Sequence, residues 1–435
     1  MLIHQKHSER LIPILVSLSV LGYLSIRGIT NAITIGLALL GLWVWIRNFQ
    51  SIKNIVGLKK LVIIAIASGS LLIATLLSQI FKNPFQISSF DGPSRIFIGF
   101  FIFILLYQTR KKWLEILSIV LPISLVLLCL NLLFIDQNYI SNWGGRYASY
   151  FVDPNTLGGQ TAILSVLCLS LLFYKFNQPV LYQINLLIGS MSGFIVMFQS
   201  QSRGGWLAFA AMLICLSFLQ YKSMKKIFQE NRNRFTFFMI ILITFFFGFL
   251  LFNCDQFLSR LNPIGAEISL WKDSSQNLGQ TAVGARLGMW EVSFLLIQES
   301  PLFGFGEQNL RDSIFSLSEK IPTNLSEPLA ILIGTGPHSD ILAKLLANGL
   351  FGFVAYIATL GGPAYLFFNS LKHANHKSAQ AAANLGLIYI CGLFFCGLFN
   401  ETLSLKYLCS FYAMTVAILL ASALSIDPAT QNEPQ

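Results

Sequence analysis

A few polar residues stand out in a chain otherwise poor in charge: Arg146, Asp153, Asn155, Arg203, Arg286, His338 and Glu401. An arginine guanidinium stays charged at any working pH and grips phosphate oxygens through paired hydrogen bonds. A neutral imidazole, with a pKa near ~6.5, can take a proton from a hydroxyl at neutral pH. Arginines and a histidine of this kind could therefore hold phosphate and take a proton from a hydroxyl. Arg203 sits in Ser202-Arg203-Gly204-Gly205-Trp206, a very short turn between apolar stretches whose glycines let another group approach the backbone. His338 follows Gly336-Pro337 at the expected start of a long helix. Each also has a plainer reading by itself: Arg203 as an interfacial anchor, Arg286 as a solvated surface residue, His338 as a helix cap, Glu401 as a helix-end acid facing water.

The elements that must carry these residues are set by composition. Of 435 residues, 54% are hydrophobic and 11% charged, against roughly 25% charged in an ordinary soluble domain. The apolar residues fall into runs of about 17–25, the length of helix that crosses ~30 Å of hydrocarbon. The expected fold is all-α, a polytopic transmembrane bundle of about twelve spans. They lie near 11–27, 30–47, 60–80, 95–109, 114–135, 156–174, 179–198, 204–221, 235–253, 339–370, 379–399 and 402–424. His4, Lys6, His7 and Arg10 precede the first run as in a secretory signal, but no small-residue cleavage site follows, so it reads as an uncleaved span.

An even number of spans puts both termini on one side. Basic residues crowd 47–60, 110–112, 222–234 and 372–377, while the short loops of the other side hold only Arg27, Lys82, Arg95, Arg146 and Arg203. The positive-inside rule then predicts cytoplasmic termini and places the polar cluster outside. The excess of 29 Lys+Arg over 19 Asp+Glu is thus topology, and no nucleic-acid partner is expected. The 7 cysteines lie in or beside apolar runs without metal-ligand spacing, so neither a disulfide framework nor a metal site is expected. Lys344 and Lys406 fall inside spans, where a charge must face the bundle or water, and the sequence assigns neither a partner.

The chain divides into N-terminal spans (1–135), spans with short outer loops (136–254), one long outer segment (255–337), C-terminal spans (338–425) and a cytoplasmic tail (426–435). Within the long segment, 263–279 is polar and is expected to be irregular. Residues 285–300 read as a helix with Trp290, Phe294 and Ile297 on one side, expected to lie along the membrane surface. Pro301 stops that helix, and the glycines of Pro301-Leu302-Phe303-Gly304-Phe305-Gly306 allow a tight turn.

Three stretches together resemble the O-antigen ligase and O-antigen polymerase superfamily. They are Gln201-Ser202-Arg203-Gly204-Gly205-Trp206-Leu207; Arg286-Leu287-Gly288-Met289-Trp290 continuing to the 301–306 turn; and His338-Ser339 followed, nine residues on, by Gly349-Leu350-Phe351-Gly352. Asp153-Pro154-Asn155 with Gly158, and Asn400-Glu401, are similar to flanking features of that family. The resemblance covers about 145–425. It implies a GT-C-like membrane glycosyltransferase of the bacterial inner membrane, working on the periplasmic face without cofactor or metal.

The implied donor is a glycan on a polyprenyl (undecaprenyl) diphosphate, and the acceptor a glycan, lipid or protein hydroxyl, with membrane lipids around both. On that resemblance His338 is the catalytic base, with Glu401 orienting it or acting as base itself. Arg203 and Arg286 hold the diphosphate, and Arg146, Asn155 and Arg311 are further substrate-binding candidates. No Asp-x-Asp occurs to hold a metal against a nucleotide diphosphate, so fixed cations must meet the leaving-group charge. Two rivals stand beside this ligase reading: a polymerase of the same superfamily, and an anion (bicarbonate) transporter. A carrier should show repeated halves with broken helices near mid-membrane, and no internal repeat is visible.

Overall fold

The computed structural model describes residues 2–80, 85–109, 111–135, 137–273, 281–306, 315, 317–373 and 376–425. Arg311 and the 426–435 tail lie outside the described residues. The described chain is helical and, among its residues, carries no strand. In order the helices are α1 (Leu2–Gly22), α2 (Ile29–Val56), α3 (Leu58–Ile80), α4 (Asp91–Phe97), α5 (Gly99–Gln108), α6 (Trp113–Phe134) and α7 (Gln137–Asn142). There follow α8 (Pro154–Tyr174), α9 (Val180–Gln199), α10 (Arg203–Glu230), α11 (Arg232–Phe252), α12 (Cys254–Leu261), α13 (Pro263–Asp273), α14 (Ala282–Glu299), α15 (Ser326–Thr335), α16 (Asp340–His373), α17 (Lys377–Gly397) and α18 (Lys406–Ala423).

Among the described residues, eleven helical stretches are long and apolar enough to cross a membrane. The expected first span is shorter than the others, with an apolar stretch only from Arg10 to Gly22. The expected span at 95–109 falls in one candidate span, Ile87–Gln108, with a turn at Ile98 between α4 and α5, and Asp91 in the first turn of α4 pairs with both Arg95, at 2.9 Å, and Lys406. That settles the partner of Lys406. The last span starts at Lys406 rather than 402, because the preceding loop is tied to other groups.

At the centre stands α8, whose apolar stretch is wholly buried, wrapped by α9, α10 and α17. The second inner helix, α18, is buried along most of its length against α2, α4, α5 and α17. Lipid tails are as apolar as leucine, so close van der Waals fit and internal hydrogen bonds hold such a bundle rather than escape from water. The sequence supplies both. A Cβ on Gly189 would come within 2.3 Å of Pro122, and one on Gly362 within 2.6 Å of Ala67, so glycine is what lets α9 meet α6 and α16 meet α3. Ser124 donates to the Val20 carbonyl at 2.9 Å, Ser165 to Ser190 at 2.8 Å and Ser370 to Ala423 at 2.7 Å.

The segment between α11 and α16 is more ordered than its sequence predicts. Residues 263–273, expected to be irregular, form α13, and a further helix, α15, precedes Gly336. The helix expected at 285–300 begins three residues earlier, where the Thr281 hydroxyl caps it by accepting from the Gly284 N–H at 3.0 Å. Its packed stripe is Met289, Val292, Ser293 and Leu296, with Phe294 left exposed. That stripe seats α14 on α15 and α16, in a small core of its own that includes Leu329, Leu332 and Leu346.

Two of the glycine-rich stretches meet each other. α16 bends at Gly349, whose φ of 61° and ψ of −149° only glycine adopts freely. The bend releases backbone groups from the helix ladder, and the 301–306 turn takes them up. Phe305 N–H donates to the Leu346 carbonyl and Gly306 N–H to Ala347, both at 2.7 Å, while Leu350 N–H donates to Pro301 at 2.8 Å. Gly304, itself at φ 64°, lies so close that a Cβ there would sit 2.6 Å from the Ala347–Gly349 backbone. The end of α14 is thereby locked to the start of α16.

Candidate active site

One end of the bundle collects the starts of α8, α10, α16 and α18 and the ends of α9, α11 and α17, and α12 to α15 pack over it. Glycine sets its floor. A Cβ on Gly158 would meet Ser200 Oγ at 2.2 Å, and one on Gly205 the Gly158 carbonyl carbon at 2.9 Å, so α8 and α10 touch backbone to backbone. The group that approaches the Ser-Arg-Gly-Gly turn is therefore another helix of the same chain. Capping fixes both helix starts: Asp153 accepts from the Asn155 and Thr156 N–H groups at 2.9 and 3.1 Å, and Ser202 from Gly205 at 3.2 Å.

Above this floor lies a cavity of about 200 Å³, lined by Arg146, Asn155, Arg203, Arg260, Arg286 and His338, with Gln201 and Met289 at its wall. Four guanidiniums around one small space are unusual, and the local hydrogen bonds show how they are held. Arg146 donates to the Ser200 carbonyl at 3.0 Å and to Asn155 Oδ1 at 2.8 Å. Arg203 donates to the Arg260 carbonyl at 2.8 Å and faces Glu267 at 3.4 Å. Arg260 donates to Gln201 Oε1 at 2.8 Å. Glu267 also accepts from Val283 N–H at 2.9 Å, tying α13 to the start of α14.

The crowding of positive charge registers in the proton affinities. Burial, and then Arg260, holds Arg146 down to about 10 despite nearby Asp153. Burial and Arg203 lower Arg286 and Arg260 as well, each partly offset by Glu267. All four remain cations at neutral pH. His338 is lowered too, first by burial and then by Arg286, against the opposing pull of Asp153 and a hydrogen bond that its ring donates to Asn400, so its neutral form is favoured.

His338 and Gln201 share a further property: among the described residues they are the non-glycines with positive φ, at 49° and 54°. Such backbone costs on the order of 1–3 kcal/mol and persists where surrounding structure enforces it, characteristically at functional sites. Two props enforce it at His338. Trp290 Nε1 donates to the Pro337 carbonyl at 3.1 Å. Glu401 lies directly on the preceding turn, where a Cβ at Gly336 would come within 2.1 Å of its Oε1.

The loop that carries Asn400 and Glu401 is fastened from below. Buried Asp340, two residues after His338, accepts from the Thr402 hydroxyl and from Leu403 N–H at 3.0 Å. Lys344, one turn further along α16, donates to Ser404 at 3.1 Å, which gives this lysine its partner. Asn400 Nδ2 donates to Thr156 at 2.9 Å, leaving its carbonyl oxygen for His338.

Of the residues singled out in the sequence, Arg146, Asn155, Arg203, Arg286 and His338 line one cavity, and Glu401 packs against the turn beside it. Arg311 falls outside the described residues. Sequence reasoning gave no role to Arg260, Glu267 or Asp340, and quoted Asn400 only as the neighbour of Glu401. Asp340 was open to notice as an acid at the head of a long apolar helix, whereas no spacing links Arg260 to Arg203 across 57 positions.

Residues 186–357, which hold the Arg203, Arg286, 301–306 and His338–Gly352 stretches, match the family model described as O-antigen ligase. That match supports the resemblance of this region to the O-antigen ligase and polymerase superfamily. Over 392 residues the chain is also 23% identical to an uncharacterized protein of Haemophilus influenzae, covering 89% of this chain and 92% of that one. The family match and the helical bundle describe a membrane-integral bacterial protein with an O-antigen ligase-like glycosyltransferase domain. The anion-carrier alternative finds no support in either.

Proposed function

We propose that this chain is an inverting glycosyltransferase of the O-antigen ligase type, moving a glycan from a polyprenyl diphosphate to an acceptor hydroxyl on the periplasmic face. The observation that carries the reading is the single cavity lined by Arg146, Arg203, Arg260, Arg286 and a histidine held towards its neutral form. Its roughly 200 Å³ is small beside ordinary ligand pockets of about 300–1,000 Å³. It therefore suits the diphosphate head, with the glycans and the lipid tail outside it. The opposite end of the bundle carries Lys59, Lys60, Lys111, Lys112, Lys225 and Lys226, which supports an outward-facing site and cytoplasmic termini.

In the reaction, Arg203 and Arg286 grip the two phosphates with Arg146 and Asn155 beside them. The acceptor oxygen attacks the anomeric carbon opposite the diphosphate, and its proton passes to His338. The glycosidic bond to the diphosphate breaks, and its electron pair leaves on the phosphate oxygen, where the guanidiniums stabilise the growing charge. Asn400 sets the tautomer: by accepting the N–H of one imidazole nitrogen it leaves the other nitrogen's lone pair for the acceptor. Glu401, wedged under the His338 turn, acts as a support. A ligase is favoured over a polymerase because a single outer segment of moderate size leaves an open acceptor side.

Membranes supplied with polyprenyl-diphosphate glycan should show transfer by the wild type. Arg203→Ala and Arg286→Ala should each lower it on the order of 10²–10³-fold, as loss of an oxyanion donor does, and His338→Ala should abolish it. Wild-type rates in all three variants would end the proposal. Formation of capped product rather than lengthening chains distinguishes ligase from polymerase.

A further inference from the structure

The proposed grip leaves one cation unassigned. Arg260 comes from the short helix α12, far in sequence from the other cavity residues, and nothing in the family-like stretches contains it. Its placement is nonetheless built rather than incidental. Its backbone carbonyl receives Arg203 Nε, so the main chain of α12 orients one phosphate-binding guanidinium. Its own Nε is spent on Gln201, a residue kept at positive φ whose side chain is turned to meet it. With Nε occupied, the terminal nitrogens are the part of the guanidinium left to face the cavity that Arg260 lines. Burial and then Arg203 lower the proton affinity of Arg260, partly offset by Glu267, the same carboxylate that faces Arg203 at 3.4 Å. A cluster with this surplus of positive charge calls for a ligand carrying more than one negative charge.

We propose that Arg260, positioned by Gln201, is a further guanidinium of the donor site beside Arg203, Arg286 and Arg146, and that it sets the preference for a diphosphate-linked over a monophosphate-linked lipid. The inference rests on the glycosyl-transfer reading above. A monophosphate is satisfied by two guanidiniums. The second phosphate of a diphosphate brings extra charge and oxygens, and Arg260 stands beside Arg203 to take them.

The test uses the full chain in membranes and asks how strongly polyprenyl diphosphate, the reaction's product, and polyprenyl monophosphate each inhibit transfer. For the wild type the diphosphate should be the stronger inhibitor. Arg260→Gln keeps the backbone carbonyl that holds Arg203, and it should weaken inhibition by the diphosphate about 10-fold or more. Inhibition by the monophosphate should move less than about 3-fold, with Arg260→Lys in between. Gln201→Asn tolerates positive φ but is too short to reach Arg260, and it should shift the diphosphate in the same direction by a smaller factor.

Unchanged diphosphate inhibition in Arg260→Gln, with Arg203→Ala still relieving it, overturns the role of Arg260 and leaves the transfer reading intact. Equal weakening of both inhibitors also overturns it, since Arg260 would then only shape the cavity. If Arg203→Ala relieves neither inhibitor, the transfer reading itself is what fails.

Discussion

Replacing Gly349 with alanine tests whether the cavity depends on the lock between the 301–306 turn and the bend in α16. The change adds one methyl group at a distance from the arginines. At φ 61° and ψ −149° an L-residue is strained by roughly 1–3 kcal/mol. The new Cβ would also lie 2.3 Å from the Leu302 carbonyl carbon and 2.6 Å from Phe303 N, so the turn's backbone must retreat by about 1 Å. Retreat breaks the hydrogen bonds from Phe305, Gly306 and Leu350, each worth ~0.5–1.5 kcal/mol. Together these terms come to about 3–7 kcal/mol. Even the lower figure shifts the balance between locked and released forms by on the order of 10²-fold. Released, α14 loses its register against α16, and Arg286 and Trp290 move away from His338. Transfer should fall steeply while the protein still inserts, and limited proteolysis should cut near 300–306. Gly361→Ala, where a Cβ meets nothing within 4 Å and φ is ordinary, is the control and should be silent. Wild-type transfer and protease resistance in Gly349→Ala would refute the reasoning.

Three further outcomes are expected. Because the reactive form of His338 is neutral and its pKa is lowered, kcat/KM should hold as pH falls past ~6.5 and decline only below it. Arg286→Gln removes a cation that depresses this group, so the acid limb of its residual activity should move to higher pH, and a limb that stays put would contradict the electrostatic account. Asp340→Ala strands the Thr402 hydroxyl and the Leu403 N–H in the interior at a cost of about 3–5 kcal/mol. It should lower the melting temperature of the detergent-solubilised protein by several degrees, with Asp340→Asn milder, and an unchanged melt would remove the clamp. Glu267→Gln deletes the carboxylate that competes for Arg203 but keeps an acceptor for Val283 N–H; at ~1 kcal/mol for a partly exposed pair, the donor KM should fall severalfold, and a rise would show that Glu267 supports the site instead.

The span pattern was readable because apolar runs of membrane length leave few alternatives, and the shared end of the polar cluster followed from counting turns. Arg203, Arg286 and His338 stood out in the sequence because few residue types can hold phosphate or take a proton, and the structure brings the three to one cavity. Other features depend on tertiary context. The ion pair of Asp91 with Lys406 joins residues far apart in the chain, which no local period encodes. The helix at 263–273 was missed because its charged residues were read as loop polarity, whereas Glu267 is drawn inward by Arg203. The buried stripe of α14 lies beside the expected one because α15, unanticipated, supplies the surface it packs on. Asp340 illustrates the same limit: its position was plain, but its inward direction depends on a loop some sixty residues away.

The order in which the spans appear along the chain carries a consequence for manufacture. Among the described spans α18 comes last, yet it is among the most enclosed, filling the space between α2, α4, α5 and α17. During synthesis the early helices must wait in lipid with an open seam until that segment arrives. A ribosome that stops before Lys406 therefore releases not a slightly shortened protein but a bundle missing one of its two inner helices, the kind of product a membrane quality-control protease removes.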